Sequence, residues 1–194
     1  MNYLAHIYLS GEDPEIKIGN FIADSVKGKQ FIRFPEKIRK GIILHRAIDT
    51  YTDAHPIVKQ SVTRLFSEYS HYSRVIVDIL YDHFLAANWE KFCDIPLRVY
   101  VQDFYNLLNK NHPILPKPVQ HFLPYMISDN WLYNYSTTEG IGKILWQMNQ
   151  RTGGKSRMNL AVKELRLYYG EFEEEFFGFF EDLERFSKEK IMVL

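Results

Sequence analysis

The 194-residue chain balances 24 Lys+Arg against 24 Asp+Glu, so no net field draws it toward nucleic acid or a membrane, and any charge-driven recognition must be local. Its length suits one compact domain over 1–194, and its one cysteine, Cys93, excludes an internal disulfide. No apolar run approaches the ~20 residues of a membrane span, and acidic Glu12 and Asp13 come too early for a signal peptide. The expectation is a soluble cytoplasmic protein.

Apolar spacing along the chain is helical throughout. Asp13-Pro14 reads as an N-cap followed by a first helical proline, opening a helix through Phe21 and Ile22 that stops near Gly28, with Asp24 in its last turns. Pro35 opens a second helix carrying Ile38, Ile42, Leu44 and Ile48 to about Thr52, with His45 and Asp49 inside it. A third begins near Pro56 with Val58, Val62, Leu65 and Phe66. Val75 to Trp89 follows, rich in buried-looking residues.

Further helices are predicted at Leu97–Asn109, Val119–Tyr133, Glu139–Gln150 and Asn159–Lys188, with Arg151 to Arg157 as the clearest loop. Phe172, Phe176, Phe177, Phe179 and Phe180 on the last helix are expected to pack in the core, and Glu171, Glu173, Glu174 and Glu175 to form a solvated face. No tract alternates like a strand and no repeat is present, so the fold class is all-α.

Two of these helices carry metal-type ligands four residues apart. On an α-helix, residues i and i+4 project from one side, so His45 with Asp49, and Asp78 with Asp82, can each converge on one ion. His83 is turned roughly 100° from Asp82, so both ligate only an ion lying between them, or two ions. Imidazole and carboxylate ligands without thiolate suit Mn²⁺, Mg²⁺, Fe²⁺ or Zn²⁺. His55, His71, His112 and His121 have no comparable spacing.

The segments Asn20-Phe21-Ile22-Ala23-Asp24, Gly41-Ile42-Ile43-Leu44-His45-Arg46-Ala47-Ile48-Asp49 with Thr52-Asp53, and Asp78-Ile79-Leu80-Tyr81-Asp82-His83-Phe84-Leu85 resemble, in this order, the acyl carrier protein phosphodiesterase family. So does the opening Met-Asn-Tyr-Leu-Ala-His. The resemblance implies a helical core distantly related to HD-domain phosphohydrolases, using manganese to remove 4′-phosphopantetheine from holo-acyl carrier protein. It makes Asp24, His45, Asp49, Asp78, Asp82 and His83 the candidate metal ligands. The adjacent pair here reads Asp82-His83, the reverse of an ordinary HD motif.

Arg46, inside the second motif, is a candidate contact for the substrate phosphate, with a surface salt bridge as the alternative. His6, in the family-like N-terminus, is a candidate to fold back as a ligand or general acid. Lys27, Lys29, Arg33, Lys37, Arg39 and Lys40, interrupted only by Glu36, form a local basic run that could steer an acidic carrier protein toward the site. Nucleic acid is disfavoured, because no nucleic-acid fold signature accompanies these cations. The competing readings are another HD-like phosphohydrolase acting on a nucleotide or small phosphoester, and a non-catalytic helical module binding an acidic partner.

Overall fold

A computed structural model describes residues 1–194, which form eleven α-helices joined by turns, short 3₁₀ segments and loops, with no strand. The expected all-α class is correct. One connected core of 48 buried apolar residues runs through the chain.

The N-terminal segment, for which no helix is expected from spacing, forms α1 (Tyr3–Tyr8), with the Asn2 side chain accepting from the Tyr3 amide. In α2 (Pro14–Ile22), Asp13 is the N-cap, its carboxylate accepting from Glu15 at 2.9 Å and Ile16 at 3.3 Å. The helix ends at Ile22, not near Gly28; the chain tightens into a 3₁₀ turn at Ala23–Ser25 and becomes extended at Val26. Asp24 is thereby carried on a turn beyond the helix. Pro35 stands just outside α3 (Glu36–Ala54) as its N-cap.

Helices α2 and α3 meet glycine to glycine. A Cβ on Gly19 would lie 2.1 Å from the Ile38 carbonyl oxygen, and one on Gly41 2.2 Å from that of Ile16. Only glycine permits this backbone approach, and it sets Asn20 beside His45.

Helices α4 (Pro56–Tyr69) and α5 (Ser73–Ala87) follow. From Ile79 to Ala86 every residue of α5 is buried, because α1, α4, α9 (Thr138–Arg151) and α11 (Tyr169–Val193) pack around it. Between them run α6 (Leu97–Lys110), α7 (Lys117–Ser128), α8 (Trp131–Asn134) and α10 (Val162–Leu167).

Two expected helices are each divided. The Val119–Tyr133 stretch breaks where Asn130 takes a left-handed φ of 49°, a conformation asparagine tolerates, and Pro124 is accommodated inside α7. The Asn159–Lys188 stretch becomes a 3₁₀ turn, α10 and α11, interrupted at Tyr168. Phe172, Phe176, Phe179 and Phe180 of α11 are core, as expected, and Phe177 is half-buried against it, whereas Glu175 is not on a solvated face. Its carboxylate is buried and receives both arms of the Arg64 guanidinium at 2.6 Å, together with the Ser61 hydroxyl and the Gln60 amide.

Candidate metal centre

Four side chains from three segments converge beside the middle of α3. The imidazoles of His6 and His45 stack with centroids 3.9 Å apart and planes inclined by 18°. His45 Nε2 lies 3.1 Å from Asp49 Oδ2 and 3.2 Å from Asp24 Oδ1, and His6 Nε2 lies 3.2 Å from Asp49 Oδ1. That last contact has the distance of a hydrogen bond without its alignment, as for donor atoms arranged around a shared point.

The local sequence explains the convergence. His45 and Asp49 share one face of α3 through their i, i+4 spacing. Asp24 reaches them because α2 stops at Ile22. His6 sits in the last turn of α1, 2% exposed, delivered by the packing of α1 on α2 and α5.

A fully buried asparagine orients the centre. Asn20 Oδ1 is 3.1 Å from His45 Nδ1, while Asn20 Nδ2 donates to the His6 carbonyl oxygen at 2.8 Å and to Ser10 Oγ at 2.9 Å. With its amide oxygen so placed, Asn20 accepts from His45 Nδ1–H, which aims the ring's other nitrogen at the carboxylates. Asn20 stands within a motif quoted above but is not among the expected ligands. Its signal was the polar residue at 3.6-period distance from the apolar face of α2, a signal that cannot name the histidine it meets.

Electrostatics mark the spot as cation-seeking. Burial alone would lower the His45 imidazole, yet the hydrogen bonds to Asp24 and Asp49 outweigh it and raise the ring to about 9. Burial, with the neighbouring His45 charge, lowers His6 to about 4. Asp49 is pushed up by burial but drawn well below the usual carboxylate range by His45 and His6, and Asp24 is lowered chiefly by its bond to His45.

A divalent ion fits this donor set. One ligand atom each from His6, His45 and Asp49 lies within 4.8 Å of the others, the separation expected of atoms about 2.0–2.2 Å from a common ion, and Asp24 adjoins them. Two imidazoles and two carboxylates without sulfur are the ligands of a borderline-to-hard metal.

Asp78, Asp82 and His83, expected as ligands, are engaged elsewhere. The Asp82 carboxylate, 0% exposed, accepts from the backbone N–H of Asn2 at 3.0 Å, Leu4 at 2.7 Å and Ala5 at 3.4 Å, so it caps α1. Asp78 accepts from the N-terminal ammonium at 2.9 Å. His83, on the next face of α5, bonds the Tyr135 carbonyl oxygen at 2.7 Å and the Tyr169 hydroxyl at 3.2 Å. The i, i+4 geometry does align Asp78 with Asp82, but it aims them at the start of α1, which in turn positions His6.

Arg46 also serves the backbone: its guanidinium donates to the carbonyls of Val26 at 3.0 Å and Gly28 at 2.9 Å and lies over the Phe31 ring, holding the segment that presents Asp24. In the basic run, Lys37 pairs with Asp13 at 2.8 Å and Lys40 with Glu36 at 3.2 Å. Lys27, Lys29 and Arg33 are exposed and Arg39 half-buried, and none of the four has an acid within 4 Å.

Asp24 also borders a pocket of about 240 Å³ shared by the N-terminus, α5, α8 and α9. No helix is long and apolar enough to cross a membrane.

A family profile described as acyl carrier protein phosphodiesterase matches residues 1–183. Similar proteins described as acyl carrier protein phosphodiesterase include one from Yersinia pestis, 29% identical over 193 residues, covering 98% of this chain and 99% of the relative. One from Pectobacterium atrosepticum is 28% identical over 189 residues, covering 97% and 98%. One from Serratia proteamaculans is 26% identical over 191 residues, covering 98% and 99%. No solved structure matches the chain.

Proposed function

The chain belongs to the acyl carrier protein phosphodiesterase family, a family of hydrolases, and on that premise we propose that it removes 4′-phosphopantetheine from holo-acyl carrier protein in a metal-dependent reaction. The single observation that carries the metal dependence is the convergence of His6, His45, Asp49 and Asp24 on one point bordering an open pocket.

The bond to be cleaved joins a carrier serine to a phosphate, and its hydrolysis needs a strong nucleophile and relief of charge on the phosphoryl oxygens. A divalent ion, most simply Mn²⁺, supplies both when bound, by lowering the pKa of water and polarising the phosphoryl group. The side chains divide the remaining work. His6, His45 and Asp49 are the holding residues, the two imidazoles buried and Asp49 half-exposed beside them. Asn20 fixes the His45 ring, and Arg46 fixes the turn that bears Asp24. Asp24 is the most exposed member, its side chain 70% accessible, and it faces the pocket where water and substrate must enter.

The protein substrate docks, in this reading, on the surface beside Asp24. Lys27, Lys29 and Arg33 extend over the segment immediately after it and have no acidic partners of their own, which suits an acidic carrier protein. Lys37, Arg39 and Lys40 continue the patch along α3, two of them already paired within the chain.

The test is incubation of the purified protein and Mn²⁺ with an authenticated holo-carrier protein, read by intact mass. Loss of the phosphopantetheine mass and appearance of the apo-carrier is expected. Unchanged holo-carrier under metal-replete conditions overturns the proposal.

A further inference from the structure

The pocket beside Asp24 has the shape and lining of a site for a linear, amide-bearing chain. Its walls include Val75, Trp131, Ile144 and Met148, drawn from α5, α8 and α9. Among these apolar surfaces stand Asn2, Gln147 and Arg151, whose side chains can donate to amide carbonyls, and the lining also includes the Asp24 and Asp78 carboxylates and Tyr3 and Tyr135. At about 240 Å³ it is smaller than the usual range of ~300–1,000 Å³ for drug-sized ligands, which favours a thin chain over a ring system.

The cation in its wall separates it from a packing defect. Arg151 has no carboxylate within 4 Å, and its guanidinium instead lies over the Trp131 ring, 5.7 Å from the centroid, while Trp131 stacks on Phe122 with planes inclined by 14°. A wall carrying a stacked, unpaired cation is suited to a ligand that brings carbonyl oxygens.

The geometry points to this pocket as the subsite for the pantetheine arm of the substrate. The inference rests on the reaction proposed above. Pantetheine is an unbranched chain apart from one dimethyl-substituted carbon, with two amides and a terminal thiol, and it begins at the phosphate under attack. Asp24 belongs both to the ligand cluster and to the pocket lining, so an arm leaving a phosphate at the cluster enters the pocket directly. Arg151 donates to the amide carbonyls, Gln147 and Asn2 pair with either side of an amide, and the apolar walls take the methylene and dimethyl groups. Recognition of the arm thereby resides in α8 and α9, and recognition of the carrier in the basic segment after Asp24.

The test is titration calorimetry of the Mn²⁺-loaded full-length protein with pantetheine, which lacks the phosphate, and with 4′-phosphopantetheine. Wild type, Gln147→Trp, which fills the pocket, and Arg151→Ala, which removes a donor, are compared after circular dichroism has established their helicity. Wild type is expected to bind both compounds, Gln147→Trp to weaken both at least tenfold, and Arg151→Ala to weaken both at least threefold. Absence of pantetheine binding to wild type, or unchanged affinities in a folded variant, overturns the inference. Holo-carrier turnover by the same wild-type sample separates the two claims: turnover with unaltered binding in the variants removes the subsite and leaves the reaction. Pantetheine binding that the variants weaken, without turnover, removes the reaction and leaves the site.

Discussion

Asn20 Oδ1 stands 3.1 Å from His45 Nδ1 in a fully buried contact, so the orientation of the central imidazole is set by a residue on a different helix. Removing such an outer partner typically costs 10–100-fold in metal affinity. Asn20→Ala is expected to weaken Mn²⁺ binding by about that factor, measured by titration calorimetry. Wild-type affinity in a folded Asn20→Ala protein would show that His45 needs no such support.

The contact depends on the close crossing of α2 and α3. In Gly41→Ala the new methyl would stand 2.2 Å from the Ile16 carbonyl oxygen, and neither atom belongs to a side chain that can swing away. The helices must part. Overpacking of this kind costs about 1–3 kcal/mol, and here it also separates Asn20 from His45. Denaturant unfolding should show that loss and metal titration a weakened site; wild-type values in both would contradict the crossing.

These two residues also show what could be read from the chain alone. The His45-x₃-Asp49 pair was legible because helical periodicity puts both residues on one face within a single element. Asp24 was expected as a ligand through its motif, and the structure places it beside His45, although the helix was expected to continue beneath it. His6 and Asn20 were harder, since their partners lie far along the chain and no local period encodes which helix crosses which. Asp78 and Asp82 have the same i, i+4 spacing as His45 and Asp49, yet Asp82 meets backbone N–H groups at the start of α1 and Asp78 the N-terminal ammonium. Spacing reveals a shared face and leaves open what that face meets. The break at Tyr168 was missed for a related reason, since the hydrophobic period continues across it and tertiary packing selects the turn, whereas Ser128-Asp129-Asn130 carries a local turn signal.

Asp82 and His83 give a direct contrast with the ligand set expected from their motif. Asp82→Ala leaves the N–H groups of Asn2, Leu4 and Ala5 without their acceptor, at a cost of about 1–3 kcal/mol in stability, and Asp82→Asn, which retains one acceptor oxygen, should recover part of it. His83→Ala should leave Mn²⁺ affinity within about threefold of wild type, well short of the 10–100-fold expected for a member of the metal's immediate support. A large loss of metal in folded His83→Ala would return that residue to the ligand set.

The cap of α2 makes a pH prediction. The Lys37 ammonium bonded to Asp13 holds its carboxyl below the usual range, aided by the Ile16 and Glu15 amides against a smaller effect of burial. Because the folded pKa is depressed, the stabilisation is complete above the unfolded value of about 4 and is lost as pH falls through the folded one. Asp13→Ala should therefore cost about 1 kcal/mol at pH 7, and the gap to wild type should narrow progressively below about pH 4. Unfolding curves at pH 7 and pH 3 decide it; a gap that widens on acidification has the wrong sign.

The central claim is that His6, His45, Asp49 and Asp24 form the metal centre, with Asp82 and His83 outside it. Crystals soaked in Mn²⁺ and measured for anomalous scattering test it most directly. The expected result is a strong anomalous peak bounded by His6 Nε2, His45 Nε2 and the carboxylates of Asp49 and Asp24. A sole peak coordinated by Asp82 and His83, or none at the four-residue cluster in protein that retains metal-dependent activity, would contradict it.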